Sequence, residues 1–329
     1  MMTHLPSTLD AIPILHDTAI SVGSYDGVHR GHLSMIDHLR REAASRGLRT
    51  ALITFQPHHR IFFRREAKPF LLTDLEEKLL LLERTGIDHA IVLPFTADLA
   101  AMSAATFMER VLRDRLGARL FIVGHDQAIG RDQLRGPERI GDPARALGIE
   151  VASVGPLMDE GEPVSSTRIR EALRAGELAR ATALLGYPYL LTGTVVRGTA
   201  RGRSLGYPTA NLAPAEPLKL VPAPGVYVAT ADLPMGEAGA AARLHQTAPP
   251  LAAARLRGLV YIGSRPTFGE TDEVIELFLM DYERELYGAK VQASVLERLR
   301  GDVRFASADE LVGQMRQDEA RARRYFLRA

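Results

Sequence analysis

Between Asp17 and Val154 the chain alternates short, uninterrupted apolar runs with segments of helical spacing, and this alternation narrows the fold more than any other feature. The runs are Thr18–Val22, Arg49–Phe55, His89–Leu93, Leu120–Val123 and Ile149–Val154. A strand with one face in water alternates apolar and polar residues, whereas a continuous run reads as a strand covered on both faces. Helical candidates lie between the runs. Leu33, Ile36, Leu39 and Ala43 share one helix face, Leu75–Arg84 follows a capping box at Thr73 and Glu76, and Ala104–Leu116 carries Phe107, Val111 and Leu112. Alternating βα units need right-handed crossovers, so the spacing predicts an α/β fold, a doubly wound parallel (Rossmann-like) sheet.

Two helical pieces, Ser166–Ala175 and Leu178–Leu185, close this half before Gly186-Tyr187-Pro188 breaks the pattern. Beyond it, Gly and Pro punctuate short strands at Tyr189–Val196, Thr209–Leu212, Gly225–Asp232, Leu259–Ile262, Val274–Asp281 and Lys290–Leu299. That spacing predicts a small antiparallel β-barrel, followed by a C-terminal helix behind a second capping box at Ser307 and Glu310. Pro234–Ala254 lacks periodicity and reads as an extended hairpin loop. A chain of 329 residues exceeds what one core usually supports, so two domains are expected, 1–186 and 187–329.

Composition limits the partners. Lys+Arg 41 against Asp+Glu 40 leaves +1, so no global field draws the chain to nucleic acid or membrane, and any anion site must be a local cluster. With no cysteine there are no disulfides, thiol nucleophiles or thiolate metal sites, which fits a reducing cytoplasm. The N-terminus shows no basic region followed by an apolar core, and runs such as Leu79–Leu82 are far too short to span a bilayer. The expectation is a soluble cytoplasmic protein with neither nucleic-acid nor membrane partner, its oligomeric state open.

The first local anion site falls directly after the first strand, in Gly23-Ser24-Tyr25-Asp26-Gly27-Val28-His29-Arg30-Gly31-His32. Strand-to-helix turns at the carboxyl edge of a parallel sheet bind nucleotides, and helix N-terminal amides favour negative charge. His29 and His32 flank Gly31, where close backbone approach is possible, and can donate hydrogen bonds to phosphate. Ser165, Ser166 and Thr167 place three hydroxyls at a second helix start, with Arg168 and Arg170 in its first turn. Arginine there opposes the helix dipole, which a bound triphosphate would offset.

The second site opens the barrel. Gly198, Arg201, Gly202 and Arg203 make a compact cationic loop whose amides can cradle phosphate, and Pro208 leads into Thr209 and Asn211. In an extended strand those two oxygens share one face and suit Mg²⁺, which takes oxygen ligands while keeping waters and phosphates; an Asx or ST turn is the plainer reading. Glu276, acidic within an apolar run, is placed to accept a proton, and its shared parity with Phe278 and Met280 predicts burial. His58 and His59, beside Arg60, Arg64 and Arg65, read equally as a phosphate contact or a solvated basic loop. Arg321, Arg323 and Arg324 read as one solvated helix face.

These residues carry a resemblance. The first segment resembles the G-x-F-D-G-x-H-x-G-H signature of nucleotidylyltransferases, Ser165–Arg170 resembles their S-S-T-x-x-R, and Thr54–His58 resembles a T-F-x-P-H element. The barrel loop from Gly193 to Leu212 is similar to the riboflavin kinase loop, and Gly225–Tyr227, Ile262–Phe268 and Leu286–Gly288 match its later landmarks. Together they resemble the bacterial bifunctional riboflavin kinase/FMN adenylyltransferases. The resemblance implies ATP-dependent phosphorylation of riboflavin to FMN, with Glu276 as base and Thr209 and Asn211 on Mg²⁺. It also implies adenylylation of FMN to FAD, with His29, His32 and Arg168 on the phosphates and Gly23, Asp26, Gly31, Gly124 and Asp126 among the binding positions. Gln127 and Ile129 stand where the family has aromatics, and Tyr261 where it has Asn. Gln127 and Ile129 keep one rival open, a riboflavin kinase with an impaired adenylylating half; a rival from another class is a non-catalytic protein that responds to flavin or nucleotide, against which Glu276, Thr209 and Asn211 argue.

Overall fold

The computed structural model of the chain describes residues 1–63, 68–125, 127–197, 206–233, 255–267 and 270–328; at 264–267 and 270–273 it describes the backbone alone. Contacts divide the chain into two compact units, one of Met1–Lys68 with Leu75–Ser166, the other of Pro69–Asp74 with Thr167–Ala329.

The first unit contains strands β1 (Met2–His4), β2 (Thr18–Val22), β3 (Arg49–Gln56), β4 (His89–Pro94) and β5 (Ala118–Gly124). A hairpin of β6 (Ala128–Ile129) and β7 (Leu134–Arg135) precedes β8 (Glu150–Val154), and a second joins β9 (Met158–Asp159) to β10 (Glu162–Pro163). Six strands form one parallel sheet in the order β1-β4-β3-β2-β5-β8. Its helices are α1 (Arg30–Arg46), α2 (His59–Phe62), α3 (Leu75–Glu83), α4 (Ala97–Ala101), α5 (Ala104–Phe107) and α6 (Pro137–Ala146).

Both faces of the sheet are covered, as continuous apolar runs require. Ile20, Ile53, Ile91 and Phe121 are buried on one face, and Ala19, Leu52, Ala90 and Leu120, of opposite parity, on the other. The helix expected over Ala104–Leu116 is α5 continued by a wider π turn, Met108–Arg113; its Phe107, Val111 and Leu112 join Ile140 and Ala144 of α6 against the sheet. β1 has no apolar run to announce it and exists through its parallel pairing with β4, Met2 opposite His89. From β2 the chain steps through β3 to β4, then returns to β5 on the other side of β2. That reversal opens a crevice at the carboxyl ends of β2 and β5.

The second unit begins with α7 (Ser166–Ala175, of which Ser166 groups with the first unit) and α8 (Leu178–Leu185). Six antiparallel strands follow: β11 (Tyr189–Val196), β12 (Thr209–Pro214), β13 (Gly225–Asp232), β14 (Arg255–Thr267), β15 (Glu270–Leu279) and β16 (Lys290–Gly301). They close as a barrel in the order β11-β12-β15-β14-β13-β16. Closure removes the unpaired edges that make sheets stick to one another. Tyr227, Val260 and Leu277, opposite one another across three strands, fill the interior. Val226, Val228, Leu259, Met280 and Leu299 cover the outside, where α9 (Ala308–Arg328) lays Ala322, Tyr325 and Phe326 on them. Buried Asp318 of α9 meets Arg300 of β16 at 2.9 Å.

Ser307 caps α9 as expected, accepting from the Glu310 amide at 3.2 Å; the Glu310 carboxylate returns to the amide of Ala306 rather than Ser307. Residues 69–74 are held by second-unit residues: the Lys219 ammonium donates to the Leu72 carbonyl and the Arg170 guanidinium to that of Phe70, both at 2.6 Å. Arg170 is therefore not the phosphate ligand its place beside Arg168 suggested. Pro234–Ala254 lies outside the described residues, between strands β13 and β14 that pair from Gly225–Ile262 to Asp232–Arg255.

Candidate active sites

In the first unit the turn after β2 is bent against its own side chains. Tyr25, Gly27 and Val28 have φ of 46°, 84° and 33°. A β-branched residue at positive φ costs about 1–3 kcal/mol and persists only where its surroundings over-determine it. Here Tyr25 and Val28 are almost wholly buried, which fixes the loop beneath the helix start. His29 caps α1, its Nδ1 accepting from the His32 amide at 3.4 Å. In a neutral ring that places the proton on Nε2. The two imidazoles stack with centroids 3.7 Å apart and planes 18° from parallel. A Cβ on Gly31 would lie 3.1 Å from the Val164 carbonyl oxygen and 3.2 Å from the His29 ring, so any larger residue would have to push these neighbours aside by a few tenths of an ångström.

Burial holds the His32 imidazole well below its usual proton affinity, with His29 and Lys78 adding to the effect. The ring is therefore neutral at pH 7, and its buried Nδ1 has no hydrogen-bond partner among the described residues. A polar atom in that state fits a ligand that brings its own hydrogen-bonding groups. Asp26 is buried, and its carbonyl accepts from the Ser166 hydroxyl at 3.0 Å, joining the loop to the start of α7. Ser165 is partly buried beside it in sequence. Gly23 closes β2 and Gly124 ends β5, at the two lips of the crevice. Thr167, exposed, and Arg168, partly buried, stand in the first turn of α7 on the second unit's side of the division. Asp126 lies outside the described residues.

The second site is on the outer face of the barrel. Asn211 of β12 pairs with Glu276 of β15, which pairs in turn with Tyr261 of β14. Thr209, two residues before Asn211 and on the same face, donates its hydroxyl to a Glu276 carboxylate oxygen at 3.1 Å. Glu276 is half-buried, not enclosed: its neighbours Ile275 and Leu277 take the interior, while Glu276, Phe278 and Thr209 share the outer side. Parity grouped these residues correctly, but the barrel interior claimed the opposite set. The Tyr261 hydroxyl donates to Asp302 at 3.1 Å; burial, Asp302 and Glu276 push it up to about 12, so it stays protonated. Tyr207, stacked obliquely 5.2 Å from Phe278, donates to Glu319 of α9. Pro208 adjoins Thr209, whereas Gly198, Arg201, Gly202 and Arg203 lie outside the described residues.

Among the described residues, no group of three or more His, Asp or Glu side chains could hold a metal by itself. The Thr209 hydroxyl, the Asn211 amide and the Glu276 carboxylate are hard oxygen donors, the kind Mg²⁺ accepts when phosphate oxygens and waters complete its shell. The donor set therefore fits a divalent ion that arrives with a nucleotide.

Two matches decide the family. Residues 11–168 match FAD synthetase and residues 185–326 match riboflavin kinase. The bifunctional riboflavin kinase/FMN adenylyltransferase of Escherichia coli (strain K12) is 33% identical over 309 residues, 93% of this chain and 92% of its own. This chain belongs to the bifunctional riboflavin kinase/FMN adenylyltransferase family. The Listeria monocytogenes member is 31% identical over 98% of this chain and 96% of its own. A crystal structure of a macrolide-efflux protein from Streptococcus pneumoniae has the same fold, with a TM-score of 0.82 and 28% identity over 98% of this chain and 99% of that one. Among the described residues of this chain, no helix is long and apolar enough to cross a membrane.

Against that family background the departures have clear structural roles. The Gln127 amide nitrogen donates to the Val22 carbonyl at 2.8 Å, and its amide oxygen accepts from the Gly124 N–H at 3.0 Å. One side chain thus staples the ends of β2 and β5 across the crevice. Ile129 is buried in the core. Aromatic surface is present elsewhere at the same sheet edge: Phe62 and Phe63 meet Phe95 edge-on at 5.3 and 5.8 Å, and Phe55 meets it at 5.5 Å. Sequence reasoning passed over this cluster, although the Phe62-Phe63 pair just after Pro57-His58-His59 was its visible signal. His58 is a buried cap, its Nδ1 accepting from the Arg60 amide at 3.2 Å, with His59 stacked on it. Arg64 and Arg65 lie outside the described residues. Arg321, Arg323 and Arg324 are exposed on α9 as read, and Arg323 is in addition paired with Asp281 at 2.9 and 3.0 Å and with Glu319 at 2.9 Å.

Proposed function

We propose that this chain makes FAD in two separately housed steps, with residues 187–329 phosphorylating riboflavin and residues 1–186 adenylylating the FMN produced. The observation that carries the reading is the cluster of Thr209, Asn211 and Glu276, assembled from two strands far apart in sequence on one face of the barrel. A ribityl hydroxyl bound there gives its proton to the Glu276 carboxylate as its oxygen takes the γ-phosphoryl group of ATP, and ADP leaves. Thr209 orients the carboxylate by donating to one of its oxygens, and Thr209 and Asn211 are the residues placed to hold Mg²⁺. When bound, that ion neutralises charge on the transferring phosphates.

In the first unit an FMN phosphate oxygen attacks the α-phosphorus of ATP and pyrophosphate leaves. His29 and His32 donate hydrogen bonds to the oxygens that gain charge, which a preformed and partly dry site does without reorganisation. Ser165, Ser166, Gly23, Asp26, Gly31, Gly124 and Asp126 frame the nucleotide, and the Phe62–Phe95 cluster offers a stacking surface for the flavin ring. Pro208 and the loop of Gly198, Arg201, Gly202 and Arg203 frame the kinase nucleotide. Riboflavin, FMN and ATP are the partners, and the cytoplasm, where ATP is made available, is the compartment.

The test is incubation of the pure protein with riboflavin, ATP and Mg²⁺, followed by chromatographic separation of FMN and FAD. Both products should accumulate, FMN first. FMN alone would restrict the enzyme to its barrel, and neither product with retained flavin binding would make it a sensor.

A further inference from the structure

Like charges three and four residues apart on a helix repel, so a run of them without partners is relieved by a bound anion. Helix α9 carries such a run. Arg321, Arg324 and Arg328 follow at spacings of three and four, and none of them has a hydrogen bond or ion pair among the described residues. Attraction to the helix dipole reaches only the last turn, which holds Arg328 and leaves Arg321 and Arg324 unexplained. The three arginines line a cavity of about 620 Å³ with Tyr325 of the same helix and with Glu297 and Leu299 of β16. That volume suits a small molecule. Leu299 and Tyr325 belong to the apolar cluster between α9 and the barrel, and they give the cavity an apolar wall. Glu297 is its one acid, against three cations. The cavity is not the site of Thr209, Asn211 and Glu276. Those residues are on β12 and β15, and β16 is separated from that pair by β11 in one direction round the barrel and by β13 and β14 in the other. Helix α9 accordingly turns Glu319 and Arg323 to Tyr207 and Asp281, and Arg321, Arg324 and Arg328 to β16.

We propose that this cavity is an accessory binding site of the second unit for a phosphorylated compound with a flat ring. Its phosphate oxygens meet Arg321, Arg324 and Arg328, and its ring lies against Tyr325 and Leu299. Guanidinium groups bind phosphate through paired, charge-assisted hydrogen bonds, and three of them suit a group with two or more negative charges. Tyr325 offers an aromatic face to a planar ring. Glu297 opposes a ligand charged along its whole length, and the apolar wall favours one with a neutral portion. Flavin nucleotides and adenine nucleotides share that chemistry. No bond is made or broken here, and the proposal does not depend on which residues catalyse either step.

The test uses the full-length protein, wild type and Arg324→Gln/Arg328→Gln. Hydrogen exchange is followed in segments 297–299 and 321–328 while FMN, ADP or pyrophosphate is added alone, with no Mg²⁺ and no second substrate to allow turnover. Glutamine is as good a helix former as arginine, so the melting temperature should hold. FMN or ADP should raise protection of both segments in wild type. The double substitution should raise the concentration needed for half of that protection by roughly tenfold or more, the loss of two charge-assisted contacts discounted for exposure. Arg324→Lys/Arg328→Lys keeps the charge and should restore most of the effect. Protection by FMN and not ADP supports the site with a flavin nucleotide as its ligand, and the reverse supports it with an adenine nucleotide. Pyrophosphate protecting as strongly as either nucleotide overturns the place given to the ring. No added protection from any of the three, or protection that the glutamine variant leaves unchanged, overturns the site. FMN formation from riboflavin should be the same in all three proteins; a glutamine variant that loses it together with the protection makes the cavity part of the kinase site and overturns its assignment as a separate one.

Discussion

The two sites handle the same nucleotide by different architectural means. In the first unit an open parallel sheet leaves a crevice where its strand order reverses, and the histidine pair sits in the turn above it. His29 and His32 are three residues apart and are held by a strained turn and a helix start. The barrel's site is laid on the strand surface, where the two-residue period puts Thr209 and Asn211 on one side and the register of β12 with β15 brings Glu276 against them across 67 residues of sequence. A site in a turn is local and depends on backbone strain. A site on a sheet is non-local and depends on register.

The contrast predicts that each site fails alone. The largest effect is expected from Glu276→Gln, which removes the proton acceptor: FMN formation should fall by roughly a thousandfold while FAD formation from supplied FMN is unchanged. Equal losses in both rates would mean that the two sites are not independent. His32→Ala should give the converse result, lowering FAD formation by roughly a hundredfold and sparing FMN formation. Unchanged FAD production would take His32 out of the mechanism.

A smaller effect separates turn from strand. Gln127→Leu deletes both arms of the staple between β2 and β5, at a cost of about 1–3 kcal/mol. FAD formation should drop about tenfold and the melting of the first unit should move down, whereas FMN formation should hold. If melting is unaffected, the crevice does not depend on Gln127.

The smallest effect is set by pH. All nine histidines among the described residues belong to the first unit. His4, His32 and His89 lie below the ordinary imidazole value of 6.5, chiefly through burial. Each binds a proton more readily when unfolded, so the stability present above pH 6.5 is lost as the pH falls below it. Hydrogen exchange at pH 8 and pH 5.5 should show protection falling in the sheet of the first unit and not in the barrel. Equal loss in both would trace the acid sensitivity to groups other than these histidines.

Much of the fold could be read directly. The bounds of β11, β13, α7 and α8 follow from apolar runs and punctuation, because closely spaced residues impose their own period. The histidine pair was legible for the same reason, its two members being held by one turn. Glu276, Thr209 and Asn211 were legible as residue types, and their contact was not, because only the β12–β15 register brings them together.

The sequence by itself determined which residues share a face, the bounds of elements such as β11, β13, α7 and α8, and where the two clusters of anion-binding residue types fall. Tertiary structure decided which face is covered. It turned Ile275 and Leu277 into the barrel and left Glu276 outside, because alternation marks two faces equally and only closure of the sheet chooses between them. It also gathered residues 69–74 into the second unit, drew Arg170 to Phe70 and buried Lys78 against Thr54. Those contacts join positions between 24 and 147 residues apart with no shared period, so no local pattern could carry them.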